Sequence, residues 1–304
     1  MKTIGLANGE IQASEISLGC MRISSLSEKD ASLLVRTAVE EGINYFDHAD
    51  VYGGGKCEEI FAKAIGMNPS VRETVFLQSK CGIRDGYYDF SKEHILSAVD
   101  GTLRRLKTEY LDVLLLHRPD TLMEPEEVAE AFRILHSSGK VRFFGVSNQN
   151  PMQIELLNRY LGRKLVVNQL QLSVTNSGMI DSGICVNMET GVFPGDASIL
   201  EYCRLNGITI QAWSPFQWGF FEGPFIGSDR FPELNKKLGE IAEKNNVTPE
   251  AVAIAWILRH PAKIQPIVGT TNPKRLRNIC KASQVELSRE EWYGIYKAAG
   301  HRIP

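Results

Sequence analysis

The chain has 304 residues, with 34 Lys and Arg against 36 Asp and Glu, for a formal net charge of −2. That balance excludes the concentrated basic surface a nucleic-acid binder needs. Apolar residues at 43% and charged residues at 23% exclude an intrinsically disordered chain. A prior of ~100–200 residues per domain allows two domains, but α/β barrels use such a length as one. The start, Met1-Lys2-Thr3-Ile4-Gly5, lacks the apolar core of a signal peptide. The longest apolar stretches, such as Ala251–Leu258, fall short of the ~20 residues of a membrane span. Six cysteines, at 20, 57, 81, 185, 203 and 280, are scattered without CxxC pairs, so reduced thiols in a cytoplasmic protein are expected, with no disulfide framework or metal site.

Taken in chain order, short β-rich apolar runs alternate with amphipathic polar stretches. The predicted strands are Ile16–Met21, Ile43–His48, Thr74–Lys80, Leu111–His117, Val141–Ser147, Leu165–Leu172, Ile208–Trp213 and Gln265–Gly269. Helical patterns separate them: Ser27–Glu41 with Ser27 as N-cap, Gly55–Ile65, Ser91–Lys107, Pro125–Ser138 and Pro151–Leu161. Gly139, Gly162 and Gly207 stand where helices should stop. Glu233–Asn245 and Pro249–Arg259 form two helices before the eighth strand, the second opened by Thr248 as N-cap and Pro249 at its first position. Ser288–Gly300 reads as an extra helix outside the repeat. Ser173–Gly195 and Gln217–Phe231 are long Gly-containing loops that follow strands. Eight beats without a linker or low-complexity tract predict one α/β domain over 1–304, a closed (β/α)8 TIM barrel with long loops at its C-terminal face.

In such a barrel, chemistry collects where strands end. Those ends carry Asp47 and Tyr52, then Lys80, then His117, followed by Ser147-Asn148, Asn168-Gln169, Trp213-Ser214-Pro215 and Gly269-Thr270-Thr271. Each has an ordinary structural explanation. Asp47 can cap a turn, Tyr52 can pack in its loop, Lys80 can turn to solvent, and His117 can bond backbone in the core. Together, an acid, a phenol, an ammonium and an imidazole at neighbouring strand ends can converge on one pocket.

These residues resemble the aldo-keto reductase family from the Gly19 region to Arg277. Phe46-Asp47-His48-Ala49-Asp50-Val51-Tyr52-Gly53 with Glu58-Glu59 is similar to one family signature. Leu103–Pro119 is similar to a second, and Gly145-Val146-Ser147-Asn148 to the following strand end. The closing Glu291-Trp292, Lys297–Gly300 and Pro304 resemble a bacterial subgroup of uncharacterised oxidoreductases. The resemblance implies a catalytic tetrad of Asp47, Tyr52, Lys80 and His117.

The chemistry of those side chains is consistent with that role. Hydride transfer to a carbonyl builds negative charge on its oxygen, so a proton donor must wait there. A free tyrosine, with pKa near 10, is a poor one at neutrality, and the Lys80 ammonium is expected to lower that value. Asp47 is expected to pair with Lys80, and a neutral His117 to orient the carbonyl.

No G-x-G-x-x-G follows a strand, because Glu58 stands where the last glycine of a Gly53-initiated motif would fall. A Rossmann domain is therefore disfavoured, and phosphate is expected in the loops after the seventh and eighth strands. By resemblance, Ser147, Asn148 and Gln169 hold the nicotinamide carboxamide, and Trp213 stacks under the ring. Ser214, Pro215, Phe216 and Gln217 lie along the pyrophosphate, with Met21, Arg22 and Asp47 lining the same cleft. Thr270, Thr271 and Arg275, with Gly269 and Asn278 nearby, meet the adenosine end. Gly269 stands where many relatives place a lysine, and Asn278 is followed by apolar Ile279. NADP(H) is still expected over NAD(H), on Arg275 and the two threonines.

The resulting expectation is an NADP(H)-dependent reductase of aldehydes or ketones, with Tyr52 as proton donor, a small-molecule carbonyl substrate and a monomeric state. Met21, Tyr52, Tyr87, Tyr88, Trp218 and the Ser173–Gly195 loop are the candidate pocket walls. The alternative is a cofactor-binding regulatory protein of the same fold with little turnover, against which the intact tetrad argues. A metal-dependent hydrolase is a third reading, and His94, His136, His260 and His301, placed in or beside helices, argue against it.

Overall fold

The computed structural model describes residues 1–186 and 198–303. Elements in chain order are β1 (Thr3–Leu6), β2 (Ile11–Ser14), β3 (Ser17–Gly19), α1 (Glu28–Glu40), β4 (Tyr45–Asp47), α2 (Lys56–Ile65), α3 (Pro69–Arg72) and β5 (Phe76–Cys81). Next come α4 (Lys92–Leu106), β6 (Leu111–Leu116), α5 (Pro125–Ser137), β7 (Val141–Ser147), α6 (Pro151–Leu161), β8 (Val167–Gln171), α7 (Gly178–Ile184) and α8 (Ile199–Asn206). The chain continues through β9 (Thr209–Trp213), α9 (Pro232–Asn245), α10 (Pro249–Leu258), β10 (Gln265–Val268), α11 (Pro273–Cys280) and α12 (Arg289–Ala298).

Strands β3 to β10 close into a barrel, β10 pairing with both β9 and β3. All eight expected strands are present, and all pair in parallel. The apolar runs follow from that pairing, because a parallel strand covered by helices is buried on both faces. β6 is buried along its whole length, and even its Asp112 is satisfied, by Arg72 at 2.6 Å and the Leu77 amide at 2.8 Å.

Helix boundaries obey local chemistry. Ser27, Ser91 and Ser288 accept the backbone N–H three residues on, and Asn150 forms a reciprocal capping box with Gln153. Gly139, Gly162 and Gly207 take left-handed φ of 74°, 60° and 68° at helix ends. Thr248 departs from expectation: its hydroxyl makes no capping bond and is buried without a protein partner. The extra helix α12 exists and is fastened by Trp292, whose ring stacks on Trp256 at 4.8 Å. Each indole N–H donates to the other's carbonyl, at 3.2 and 3.0 Å.

Several elements were not expected, among them α3, α11, an N-terminal hairpin and a helix after β8. β1 and β2 form an antiparallel hairpin whose Ile4, Leu6, Ile11 and Ala13 bury with Tyr45, Val113, Leu115, Val166 and Val167. The signal was present in Asn8-Gly9 between alternating apolar residues, a strong hairpin cue. The segment read as a loop from Ser173 contains α7, and its residues 187–195 lie outside the described residues. Asp181 of α7 accepts from Ser177 at 2.8 Å and Tyr296 at 2.7 Å, tying α12 to the loop after β8. No helix among the described residues is long and apolar enough to cross a membrane.

Candidate active site

The tetrad assembles from three strand ends and one loop. Asp47 ends β4, Lys80 lies near the end of β5, and His117 follows β6, its amide bonded to the Cys81 carbonyl at 3.0 Å. Tyr52 is carried by the turn after β4. There Gly53, Gly54 and Gly55 have φ of 58°, 62° and 90°, a left-handed path that L side chains resist. A Cβ on Gly55 would stand 2.8 Å from Arg105 Cδ. Arg105 crosses there to reach buried Glu58 at 2.7 Å, and Glu58 also accepts from Ser79 at 2.7 Å. The triple glycine thus serves a turn locked against β5 and α4, not a phosphate loop.

Lys80 is fully buried and donates to Asp47 Oδ2 at 2.7 Å, the His48 carbonyl at 2.8 Å and Tyr52 Oη at 3.2 Å. Burial alone would push its pKa down; Asp47, then Tyr52, reverse that, and the net direction is upward, so the ammonium persists. Tyr52 differs from expectation. Burial raises its pKa above the ordinary value near 10, and this outweighs the lowering by Lys80, so the group is a neutral phenol at pH 7. His117 lies edge-on to Tyr52, with centroids 5.7 Å apart. Burial, then Lys80 and Arg118, push its pKa well below 6.5, leaving a neutral imidazole with Nδ1 buried and without a protein partner.

Beneath the tetrad runs a polar ladder that the sequence reading missed. Asp47 Oδ1 accepts from Gln78 Nε2 at 2.6 Å and Gln169 Nε2 at 2.9 Å. Both amides also donate to Gln211, which donates to Gln265, which donates to the Ser14 carbonyl. Strand alternation was the available signal, since Gln78 stands two residues before Lys80 and Gln211 two before Trp213.

The other expected residues fall around the same end of the barrel. Ser147 donates to the Gln169 carbonyl at 2.9 Å, and Asn148, at φ 59°, donates to Ser147 at 2.7 Å and accepts from Trp213 Nε1 at 3.1 Å. Gln169 has spent its amide N–H groups on Asp47 and Gln211, while its Oε1 accepts nothing from the described residues. Ser214, at φ 51°, turns the chain into a loop where Pro215 and Phe216 precede Gln217. Gln217 Oε1 accepts from the Gly223 amide of the same loop at 3.1 Å, and its carbonyl accepts from Ser173, in the loop after β8, at 2.7 Å. Met21 is exposed, and Arg22 donates to the Gly269 carbonyl through Nε at 2.9 Å and through Nη2. The stretch from Gly269 to Arg275 is only partly loop, because α11 begins at Pro273 with Asn272 capping the Arg275 amide at 3.1 Å. Thr270 is buried and Thr271 partly so; Arg275 is exposed and 3.8 Å from Glu250. Asn278 is partly exposed, whereas Ile279 is a core residue.

The expected aromatic wall is rearranged. Trp218, a candidate wall residue, packs on Phe231 at 6.4 Å and under Arg230 at 4.0 Å. Phe220 and Phe221, not among the expected wall residues, stand 6.1 and 6.2 Å from the Trp213 ring. Tyr87 and Tyr88 are exposed, and Tyr87 meets Arg84. Among the described residues no cluster of three His, Cys, Asp or Glu is arranged to hold a metal ion.

The sequence profile described as the aldo/keto reductase family matches residues 15–299. An uncharacterized oxidoreductase of Bacillus subtilis, YcsN, is 38% identical, with the whole of both chains covered. A 6-dehydroglucose reductase of Agrobacterium fabrum is 32% identical over 98% of each chain. Among solved structures, a thermostable aldo-keto reductase in complex with the inhibitor epalrestat superimposes with a TM-score of 0.80 at 25% identity, covering 98% of this chain and 100% of that one.

Proposed function

This chain belongs to the aldo/keto reductase family, whose members are nicotinamide-dependent oxidoreductases, and from that premise we propose that it reduces aldehydes or ketones with NADPH, using Tyr52 as the proton donor. The observation that carries the reading is the convergence of the Tyr52 hydroxyl, charged Lys80 and neutral His117 at one end of the barrel.

The residues fit a nicotinamide dinucleotide. Gln169 Oε1 is available to an amide donor, and Ser147 and Asn148 are bonded to the Gln169 backbone carbonyl on the neighbouring strand end. The start of α11 favours negative charge, with Thr270, Thr271 and Arg275 there and Asn278 one turn on. Arg22 brings a second guanidinium to Gly269, partly offsetting the missing lysine. When bound, the cofactor supplies the hydride. His117 donates a hydrogen bond to the substrate carbonyl and orients it without adding charge. Tyr52 passes its proton to the developing alkoxide. Lys80, 3.2 Å from Tyr52 Oη, stabilises the phenolate left behind, and Asp47 holds Lys80 in place. The raised pKa of Tyr52 keeps it protonated until negative charge builds on the substrate. A monomer suffices for this chemistry.

The test joins fluorescence titration with NADPH and NADH to an aldehyde screen of wild type and Tyr52→Phe. The screen includes 6-dehydroglucose, on which relatives 32% and 33% identical are named as acting. Tyr52→Phe should bind NADPH nearly as wild type and lose ~10²- to 10⁴-fold in kcat, the usual worth of a general acid. Unchanged turnover would remove Tyr52 from the mechanism, and binding of neither cofactor would sink the reading.

A further inference from the structure

Arg118 directly follows His117. Its guanidinium carbon stands 5.4 Å from the Trp213 ring centre and 5.5 Å from that of Phe220. It is partly buried, yet among the described residues it forms no ion pair and donates no hydrogen bond. The acid closest to it in the sequence, Asp120, is already satisfied, accepting from the Phe90 amide at 3.0 Å and the Leu122 amide at 2.9 Å. Arg72, Arg105 and Arg142, by contrast, all reach buried carboxylates. The charge of Arg118 acts on both Tyr52 and His117, which places it at the reacting end of the cleft. With Lys80 matched by Asp47 and His117 neutral, Arg118 is a positive charge beside them with no carboxylate partner among the described residues.

Phe220 and Phe221 complete the setting. They are 60% and 53% exposed, although their rings pack together at 4.7 Å, and Phe221 holds a left-handed φ of 59°. A guanidinium beside aromatic faces keeps its N–H fork free at the edge. That fork matches the two oxygens of a carboxylate and binds them through paired, charge-assisted hydrogen bonds.

We infer that Arg118 is a specificity-determining residue which selects carbonyl substrates bearing a carboxylate, the anionic group resting on its guanidinium while the carbonyl lies at Tyr52 and His117. The inference rests on the reductase reading above. Carboxylated aldehydes and their neutral counterparts would use the same proton donor, and they would differ only in what they offer Arg118.

The experiment compares kcat/KM for 3- and 4-carboxybenzaldehyde with that for their methyl esters, using NADPH or NADH, in wild type, Arg118→Lys and Arg118→Gln. Wild type should favour the acids over the esters by roughly tenfold or more, the scale of charge-assisted bonding. In R118Q that ratio should fall to near one through a higher KM for the acids, and R118K should keep part of it. Two results would overturn the inference while leaving the reductase standing: esters reduced as well as acids by wild type, or R118Q lowering both equally, as loss of simple packing on Trp213 would. If no carbonyl is reduced with either cofactor, the reductase reading itself fails and this inference falls with it.

Discussion

His48 is fully buried one residue from Asp47, its ring edge-on to Phe61 at 4.5 Å, and neither ring nitrogen has a protein partner. Burial, then the Lys80 charge, push its pKa from 6.5 down to about 3. The unfolded chain therefore takes up a proton at His48 near pH 6.5, while the folded protein resists until about pH 3. Stability from this group is intact above 6.5 and declines as pH falls through the window between the two values. One pKa unit is worth about 1.4 kcal/mol, so the loss is about 2 kcal/mol at pH 5 and on the order of 4–5 kcal/mol at pH 3. His48→Leu has a similar volume, keeps the backbone carbonyl that Lys80 bonds, and cannot titrate. Urea unfolding of wild type and H48L, followed by tryptophan fluorescence at about pH 7.5 and 5, should show wild type losing about 2 kcal/mol more than the variant between the two conditions. His117 titrates in the same direction in both proteins and cancels from the comparison. A double difference under about 0.5 kcal/mol would refute the reasoning.

Two further outcomes follow from the same geometry. Lys80→Met strands the Asp47 carboxylate in the barrel and should cost about 3–5 kcal/mol in urea unfolding; Asp47→Asn in the same chain should recover much of it, and a cost below about 1 kcal/mol would mean the pair is not buried as described. Gly269→Lys has room, since a Cβ there meets nothing closer than the Gly19 carbonyl at 3.9 Å. It should tighten NADPH binding by roughly tenfold, as one charge-assisted bond would, with NADH binding unchanged in the same titration. Equal tightening of both would show that position 269 does not face the 2′-phosphate.

Local pattern made most of the fold legible. The eight strands read as apolar runs because parallel barrel strands are buried on both faces. Ser27, Ser91 and Gly162 marked helix ends because capping is satisfied within a few residues of chain. The N-terminal hairpin went unread although Asn8-Gly9 announced it. Helix α11 is not legible in the same way, because Thr270-Thr271-Asn272 look like turn residues until Asn272 is seen capping Arg275.

By itself the amino-acid sequence determined the barrel and placed Asp47, Lys80 and His117 at its strand ends and Tyr52 in the turn after one of them, because strand period and turn chemistry are properties of neighbours along the chain. Only the tertiary structure decided what those groups experience. Whether Tyr52 is pulled down by Lys80 or pushed up by burial depends on how much water the closed barrel excludes, and burial is the larger effect. The glutamine ladder from Asp47 to Gln265 joins residues up to 133 positions apart in a single hydrogen bond. That Phe220 stands beside Trp213 while Trp218 packs under Arg230 turns on how one loop folds back from Ser214. Such contacts are set by closure of the barrel, which brings strand ends within ångströms regardless of their separation in the chain.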